Sequence, residues 1–411
     1  MKKFNKFLSV AVASAMVMAM VGCGNTDNGS AATGTNAATE SAAASDSAAA
    51  SDSAASGSVF KIGGIGPTTG GAAVYGLAVQ HGAEIAVEEI NAAGGINGYQ
   101  VEFKFQDDEA DAEKSVNAYN ALKDWGAQII DGSTTSGACI AVTDKTKEDN
   151  MFQITPSGSA VECVQYDNNF RVCFSDPNQG LASAQYIGEN GLAEKIAVIY
   201  DSSDVYSSGI YEKFAKEAEN QPFEIVAAEA FTADNKTDFS VQLQKAKDAG
   251  ADMVFLPIYY QESALILTQA AAMGYAPKWF SCDGMDGILG GVDNFDVSLT
   301  EGVMLLTPFA ADATDDLTQS FVTKYKEKYG ETPNQFAADS YDAIYVIKAA
   351  IEKSGVTPDM SVSDICDGMK AAMTEITVDG LTGNGMTWTA DGEANKAPKA
   401  VVIENGAYKA M

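Results

Sequence analysis

The stretch that most narrows the fold is FKIGGIGPTTGGAAVYG at residues 60–76, read together with residues 77–107. Residues 59–65 are short, apolar and bounded by glycines, as a buried strand would be. Gly66, Gly70 and Gly71 let the backbone turn sharply and leave amide N–H groups free. From about Gly76 the apolar residues fall at Val79, Ala83, Ala86, Val87 and Ile90, the spacing of one helical face. NAAGGING at 91–98 stops that helix, and 101–105 alternates apolar and polar residues as a second strand. The helix start aims its orphan amides at the loop, which suits an anion. A nucleotide site would need GxGxxG or GxxxxGK[ST]. Here the glycines run Gly64, Gly66, Gly70, Gly71, with no Lys-Ser or Lys-Thr behind them. That leaves an ordinary strand-to-helix turn or a site for a smaller anion.

Upstream, Lys2, Lys3 and Lys6 precede an apolar run at 7–21, about 15 residues long, short for a membrane span and right for a secretory signal. The run ends Met20-Val21-Gly22-Cys23. A small residue before a cysteine at that place resembles a bacterial lipoprotein signal, with Cys23 lipidated and residues 1–22 removed. Residues 25–58 are nearly all Ala, Ser, Thr, Gly and Asn with a few acids, so they cannot repay the entropy of folding and read as a tether. Residues 23–58 thus form anchor and tether, and the folded part works at the extracytoplasmic face of a cell membrane. No later segment is apolar for about 18 residues or more. The formal net charge of -30 argues against nucleic acid or anionic lipid as a partner of the general field.

Five cysteines remain besides Cys23: Cys139, Cys163, Cys173, Cys282 and Cys366. An odd number in an exported chain leaves at least one unpaired. Cys163 and Cys173 are close enough for a local bridge, but sequence does not decide pairing. With no CxxC and 1 histidine, no Cys/His metal site is expected, and no cofactor motif is present.

The folded part, about 350 residues, exceeds a usual single domain, so two lobes are expected. Strands are expected at 128–130, 151–154, 196–200, 223–228, 253–257, 278–281 and 303–306. Helices are expected at 112–125, 138–149, 208–220, 238–249, 262–273, 315–329, 336–353 and 362–373. Regular alternation of this kind makes an α/β fold with parallel sheets covered on both faces. Ligands of such sheets bind beyond the carboxyl ends of the strands.

The loops at those ends are therefore the candidate site. DGSTTSG at 131–137 and TPSGS at 155–159 offer hydroxyls and amides at helix starts, suited to a carboxylate. DSSDVY at 201–206, IYYQE at 258–262 and CDG at 282–284 offer tyrosines and acids, suited to an amine and an apolar body. One Ser/Thr-rich loop is usually only a helix cap. Complementary loops along one edge carry more weight.

At this point the chain resembles the type I periplasmic binding proteins, specifically the branched-chain amino-acid (leucine/isoleucine/valine) receptors of ABC transporters. The likeness rests on 62–75, GAEIAVEEINAAGGINGYQVEF at 82–103, Asp107-Asp108, ITPSGSA at 154–160, Phe170-Arg171, and Tyr206 with Gly209. It continues in DFSVQLQKAKDAGADMVFL at 238–256, EGVMLLTP at 301–308 and MTWTADGE at 386–393. The resemblance implies two Rossmann-like lobes joined by three crossover strands, a Venus-flytrap. One lobe is then 59–176 plus 307–387, the other 177–306 plus 388–411. The resemblance places the ligand carboxylate on Thr135 or its neighbour Ser136, Ser157 and Ser159. It places the amine on Asp283 and Tyr259, lets Tyr206 close on the ligand, and makes Tyr75 and Phe336 pocket walls. Asp283 stands where leucine-type receptors carry Glu, and Pro257 and Ile258 stand where glycines are usual, so the amine sits differently.

The physical logic is independent of the family. A zwitterion loses its water on entering a cleft, so both charges need partners. Charge-assisted hydrogen bonds of about 1.5–3 kcal/mol each provide them. With partners on both lobes, ligand favours the closed form, which a membrane permease can read. The expected function is an extracytoplasmic solute receptor of an ABC importer for an aliphatic or branched-chain amino acid. The alternatives are a sensor of the same fold, or a receptor for a small amide, urea or aromatic acid. An enzyme is not expected: a Ser-His-Asp triad would have to use His81, no GxSxG occurs, and Asp107-Asp108 or Asp201 with Asp204 read as loop and cap carboxylates.

Overall fold

The computed structural model describes residues 57–411; the expected signal, Cys23 and nearly all of the tether lie outside the described residues. The first lobe opens with β1 (Phe60–Gly66), α1 (Ala73–Ala92), β2 (Val101–Asp107) and α2 (Ala112–Trp125). It continues with β3 (Ile129–Asp131), α3 (Ser136–Asp149), β4 (Phe152–Thr155) and β5 (Asn169–Arg171). These five strands form one parallel sheet in the order β2-β1-β3-β4-β5.

The second lobe runs through α4 (Asp176–Glu189), β6 (Lys195–Asp201), α5 (Val205–Ala218), β7 (Glu224–Phe231) and α6 (Ser240–Asp248). Next come β8 (Met253–Leu256), α7 (Tyr260–Ala272), β9 (Lys278–Ser281) and β10 (Met304–Thr307). The chain then returns to the first lobe for α8 (Asp316–Tyr329), α9 (Gln335–Ser354) and α10 (Val362–Met373). It ends back in the second lobe with β11 (Lys399–Glu404) and β12 (Ala407–Ala410). The second sheet has the order β12-β11-β10-β9-β8-β6-β7. Its inner strands are parallel as expected, and β11 and β12 add an antiparallel hairpin at one edge. The turn between them is Asn405-Gly406, both with positive φ, the geometry that a two-residue hairpin favours.

The chain passes between the lobes after β5, after β10, and between α10 and β11. Along the last passage only isolated bridges form, Val378 with Met386 and Trp388 with Ala394.

The apolar face expected on α1 is the buried one: Val79, Ala83, Ala86, Val87 and Ile90 all lie in the core. It packs on α9, and the crossing is close enough to demand a glycine. A Cβ on Gly82 would lie 2.0 Å from the Ala337 carbonyl oxygen. The helix starts at Ala73, three residues before the apolar pattern does, because Gly76 is part of it. A Cβ there would meet the Pro67 carbonyl at 1.9 Å, so the glycine lets the preceding loop fold over the first turn.

All five described cysteines are buried free thiols, Cys163 and Cys173 included.

Candidate functional site

The loop that opens the chain's alternation meets its anion inside the protein. Thr68 donates its amide to Asp107 Oδ1 at 2.8 Å, and the Thr69 hydroxyl donates to Oδ2 at 2.6 Å. Burial opposes the charge on Asp107, but these bonds and the Glu109 amide hold its carboxyl below the usual range. Asp107 therefore ties a loop.

The hydroxyl loops lie at the carboxyl ends of β3 and β4. Thr135 is the N-cap of α3, with extended backbone, yet its side chain caps nothing. Its Oγ1 is buried and without a partner among the described residues, as is Ser159 Oγ. Ser136 Oγ accepts from the amides of Ser159 and Ala160, each at 3.2 Å. Ser157 Oγ donates to the Thr134 carbonyl at 2.5 Å. This edge is thus a row of buried hydroxyls: Ser136 and Ser157 are held by backbone, Ser159 lies beside Asp176, and Thr135 has hydrogen-bonding capacity to spare.

The opposite wall comes from the second lobe. Asp204 is the N-cap of α5 and sets Tyr206 on its first turn. The Tyr206 hydroxyl donates to Asp283 Oδ1 at 2.6 Å and accepts from the Gly284 amide at 2.9 Å. Its ring stacks on Tyr259 with centroids 4.9 Å apart. Tyr75, at the start of α1, reaches across from the first lobe. Its hydroxyl accepts from the Tyr260 amide at 3.1 Å and donates to the Gly284 carbonyl. Its ring lies 4.5 Å from that of Phe336.

Eight of the nine residues expected in the site line one small cavity: Tyr75, Thr135, Ser136, Ser157, Tyr206, Tyr259, Asp283 and Phe336. Ser159 is the ninth; it does not line the cavity but touches Ser136 through its amide. The space between them is about 10 Å³, room for roughly one water. An amino acid therefore enters only if the lobes part or these side chains move. A larger cavity of about 520 Å³ lies between the α1 start, around Val74 and Leu77, and the β11–β12 turn. None of the nine residues lines it. Size alone would choose that cavity; the convergence of hydroxyls, tyrosines and a carboxylate chooses the smaller one.

The smaller site is buried and acidic. Burial pushes Asp283 up to about 6, against the bond from Tyr206 and the Gln179 side chain beside it. Burial, with Asp201 beside it, pushes Asp204 up to about 6. Burial also holds the Tyr75, Tyr206 and Tyr259 hydroxyls well above their usual range, so they stay phenols that can donate. A carboxylate held in such a place gains from an incoming cation.

Three residues that the sequence patterns do not reveal belong here. Asp176 begins α4; burial raises its carboxyl well above the usual range, against the Ser159 hydroxyl beside it, and the Asp283 charge adds to the rise. Gln179, one turn on, accepts from the Asp283 amide at 3.2 Å. Gln335 reaches over from the first lobe and donates Nε2 to the Asp283 carbonyl at 3.0 Å. Pro177 stands beside Asp176 in the first turn of α4, where its missing N–H costs no hydrogen bond.

His81 stacks on Tyr329, centroids 3.6 Å apart, with Nδ1 3.2 Å from the Tyr325 hydroxyl. The Glu331 carboxylate lies 3.8 Å from the same nitrogen, so two tyrosines and an acid surround the ring. Among the described residues no group of three or more His, Cys, Asp or Glu could hold a metal, and no helix is long and apolar enough to cross a membrane.

Residues 59–407 match a family described as periplasmic binding protein. Over 300 residues the chain is 31% identical to Leu/Ile/Val-binding protein homolog 3 of Brucella melitensis, covering 72% of this chain and 80% of the relative. Over 302 residues it is 30% identical to the leucine-, isoleucine-, valine-, threonine-, and alanine-binding protein of Pseudomonas aeruginosa, covering 72% and 78%. It is also similar to the solved structure of the branched-chain amino acid transporter substrate binding protein LivJ from Streptococcus pneumoniae in complex with isoleucine. There the TM-score is 0.77 and the identity 29%, covering 86% of this chain and 98% of the other.

Proposed function

The chain belongs to the periplasmic binding protein family, and from that premise we propose that it is the extracytoplasmic receptor of an ABC importer for an amino acid, aliphatic or branched-chain. The observation that carries the reading is one buried gap with the hydroxyls of Thr135, Ser136 and Ser157 on one wall, that of Thr135 unpartnered among the described residues, and a tyrosine-held carboxylate on the other. Those walls match the two ends of a zwitterion. Thr135, Ser136, Ser157 and Ser159 take the carboxylate. Asp283 takes the amine, with Tyr259 beside it and Asp176 as a further acid. Tyr206 closes on the bound molecule, and Tyr75 and Phe336 wall the side chain. The relatives named for leucine, isoleucine and valine support the branched-chain class. The protein transforms nothing; it delivers its ligand to membrane permease subunits.

In the same reading residues 1–22 are a lipoprotein signal, Cys23 carries the lipid, and 23–58 tether the lobes to the outer face of the membrane. The lobes divide at 59–176 plus 307–387 and 177–306 plus 388–411. Isothermal titration against amino acids, small amides and aromatic acids tests the ligand class. One aliphatic L-amino acid should bind at micromolar affinity or better. Heat only with amides, urea or aromatic acids would replace the ligand class, and a sensor role would be exposed by loss of signalling but not of uptake on deletion.

A further inference from the structure

Two sequence motifs remain without a part in the site, Phe170-Arg171 and the WTADGE run at 388–393. The structure joins them directly behind the hydroxyl loop. Arg171, at the end of β5, is fully buried. Its Nη1 donates to the carbonyls of Gly158 at 3.1 Å and Ser159 at 2.5 Å. Its Nη2 donates to the carbonyls of Ala160 at 2.9 Å and Val161 at 3.4 Å. Its Nε lies 3.2 Å from Glu393 Oε2, a side chain 34% exposed. The backbone of Arg171 is clamped as well: its amide donates to the Gly392 carbonyl, and Trp388 Nε1 donates to its own carbonyl.

We infer that Arg171 is the positioning residue of the carboxylate end: it aligns two peptide units and supplies the positive field under them. This rests on the receptor function proposed for the chain. The Gly158 carbonyl and the Ser159 amide belong to one peptide unit, the Ser159 carbonyl and the Ala160 amide to the next. Both carbonyls point at Arg171, and both amides point at Ser136 Oγ. Two peptide dipoles thus run in the same sense from guanidinium to hydroxyl. Because Ser136 Oγ already accepts two N–H groups, its own proton is left to point elsewhere. Ser136 lines the gap, so that proton can be donated to a ligand oxygen. Charge, peptide dipoles and hydroxyl reinforce one another toward an anion. A buried cation is costly unless something is gained from it. Glu393 offsets part of its charge at the surface side, and Asp176 is the other carboxylate whose charge it feels.

The test uses the full chain in detergent and two ligands that differ at one end, L-leucine and L-leucinamide. Both carry the amine and the side chain; only leucine carries the carboxylate charge. The readout is the ratio of their affinities by titration calorimetry. Glu393→Gln removes the counter-charge from a partly exposed position, so the fold is kept. It should raise the leucine-to-leucinamide ratio by about tenfold, well under the roughly thousandfold of a unit charge at about 4 Å and an effective dielectric of about 20, because Glu393 is partly exposed and lies on the far side of Arg171. Arg171→Met should lower the ratio by a similar factor, and Arg171→Lys, which keeps the charge, should restore most of it. A merely structural role would weaken both ligands together and leave the ratio unmoved. Leucine binding by the natural protein with an unchanged ratio in Glu393→Gln overturns this inference alone. No binding of any amino acid by the natural protein overturns the receptor reading, and this inference with it.

Discussion

Asp283→Asn separates what the site costs the protein from what it does for a ligand. The side chain is 5% exposed and its carboxyl is raised from 3.8 to about 6. A group whose folded pKa lies above its unfolded value contributes stability at low pH that is lost as pH rises through the folded pKa. At 1.36 kcal/mol per pH unit, the ionised Asp283 costs the unliganded protein up to about 3 kcal/mol above pH 6. Asparagine keeps the size and can still accept from Tyr206, which now bonds at 2.6 Å, but carries no charge. The variant should therefore melt higher at pH 8, by up to about 4 °C for roughly 350 residues unfolding together, and the gain should close by pH 4. Ligand affinity should move the other way. A buried ammonium left without its carboxylate costs about 3–5 kcal/mol, from about a hundredfold to a few thousandfold. Calorimetric melting from pH 4 to 8 and titration with leucine at pH 8 measure both. A variant that binds leucine as well as the natural protein refutes the assignment of the amine to Asp283. One that melts lower at pH 8 than at pH 4, relative to the natural protein, refutes the electrostatic argument.

Three further outcomes rest on the same geometry. Tyr206→Phe removes the bonds to Asp283 and the Gly284 amide; titration should show about a tenfold loss of affinity, at the scale of a hydrogen bond to a charged group, and an unchanged constant would take Tyr206 out of the site. Asp131 is fully buried, has one oxygen without a partner among the described residues, and is raised by burial to about 7; its ionisation removes stability as pH rises, so the stability difference between Asp131→Asn and the natural protein should shift by up to about 4 kcal/mol in the variant's favour between pH 4 and 8, and parallel curves would contradict this. Lys396 Nζ is buried against Asp339 Oδ1 at 2.6 Å and the Val172 carbonyl at 3.1 Å; Lys396→Met should cost about 3–5 kcal/mol in urea unfolding, and Lys396→Met with Asp339→Leu should recover much of it, whereas a loss below about 1 kcal/mol in the single variant would mean the pair is not buried in solution.

The sequence makes legible whatever a local pattern encodes. The α1 face, with Val79, Ala83, Ala86, Val87 and Ile90, is periodic, and all five residues are buried. The loops that meet at the gap obey a topological rule, since parallel strands end on one edge and ligands gather there. Element ends shift where a special contact decides them, as at Gly76. The short strand β5 escapes because Asn169–Arg171 is three residues with no period to detect. The β11–β12 hairpin does carry a local cue, Asn405-Gly406, but its strands are short and lie at an edge. Asp176, Gln179, Gln335 and Arg171 are out of reach for another reason. Their roles depend on partners far along the chain, such as Gln335 with Asp283 and Arg171 with Glu393. No local window carries that information. Asp107 shows the converse: the pair Asp107-Asp108 reads locally as loop and cap carboxylates, and Asp107 does tie a loop.

The distribution of groups between the lobes also fixes how large a closing signal the proposed ligand can deliver. Beside the gap, apart from the bonds of Arg171 and Lys396 to the last crossover, the protein's own bridging bonds are Tyr75 to Gly284 and to the Tyr260 amide, and Gln335 to Asp283 and Asp286. At about 0.5–1.5 kcal/mol net each, and exchanged for water on opening, they hold the closed shape by only a few kcal/mol. Entropy of the freed hinge opposes them with a similar magnitude. The lobes are thus balanced closely enough for a small molecule to decide. In an open form a zwitterion reaches the hydroxyl loop or Asp283, not both; on closing it gains the second set. Two charge-assisted bonds in that set supply about 3–6 kcal/mol. Turning a 1:99 equilibrium into 99:1 takes about 5.5 kcal/mol. A ligand matched at both ends meets that requirement and one matched at a single end does not, so the separation of the two walls is itself the filter between binding and signalling closure.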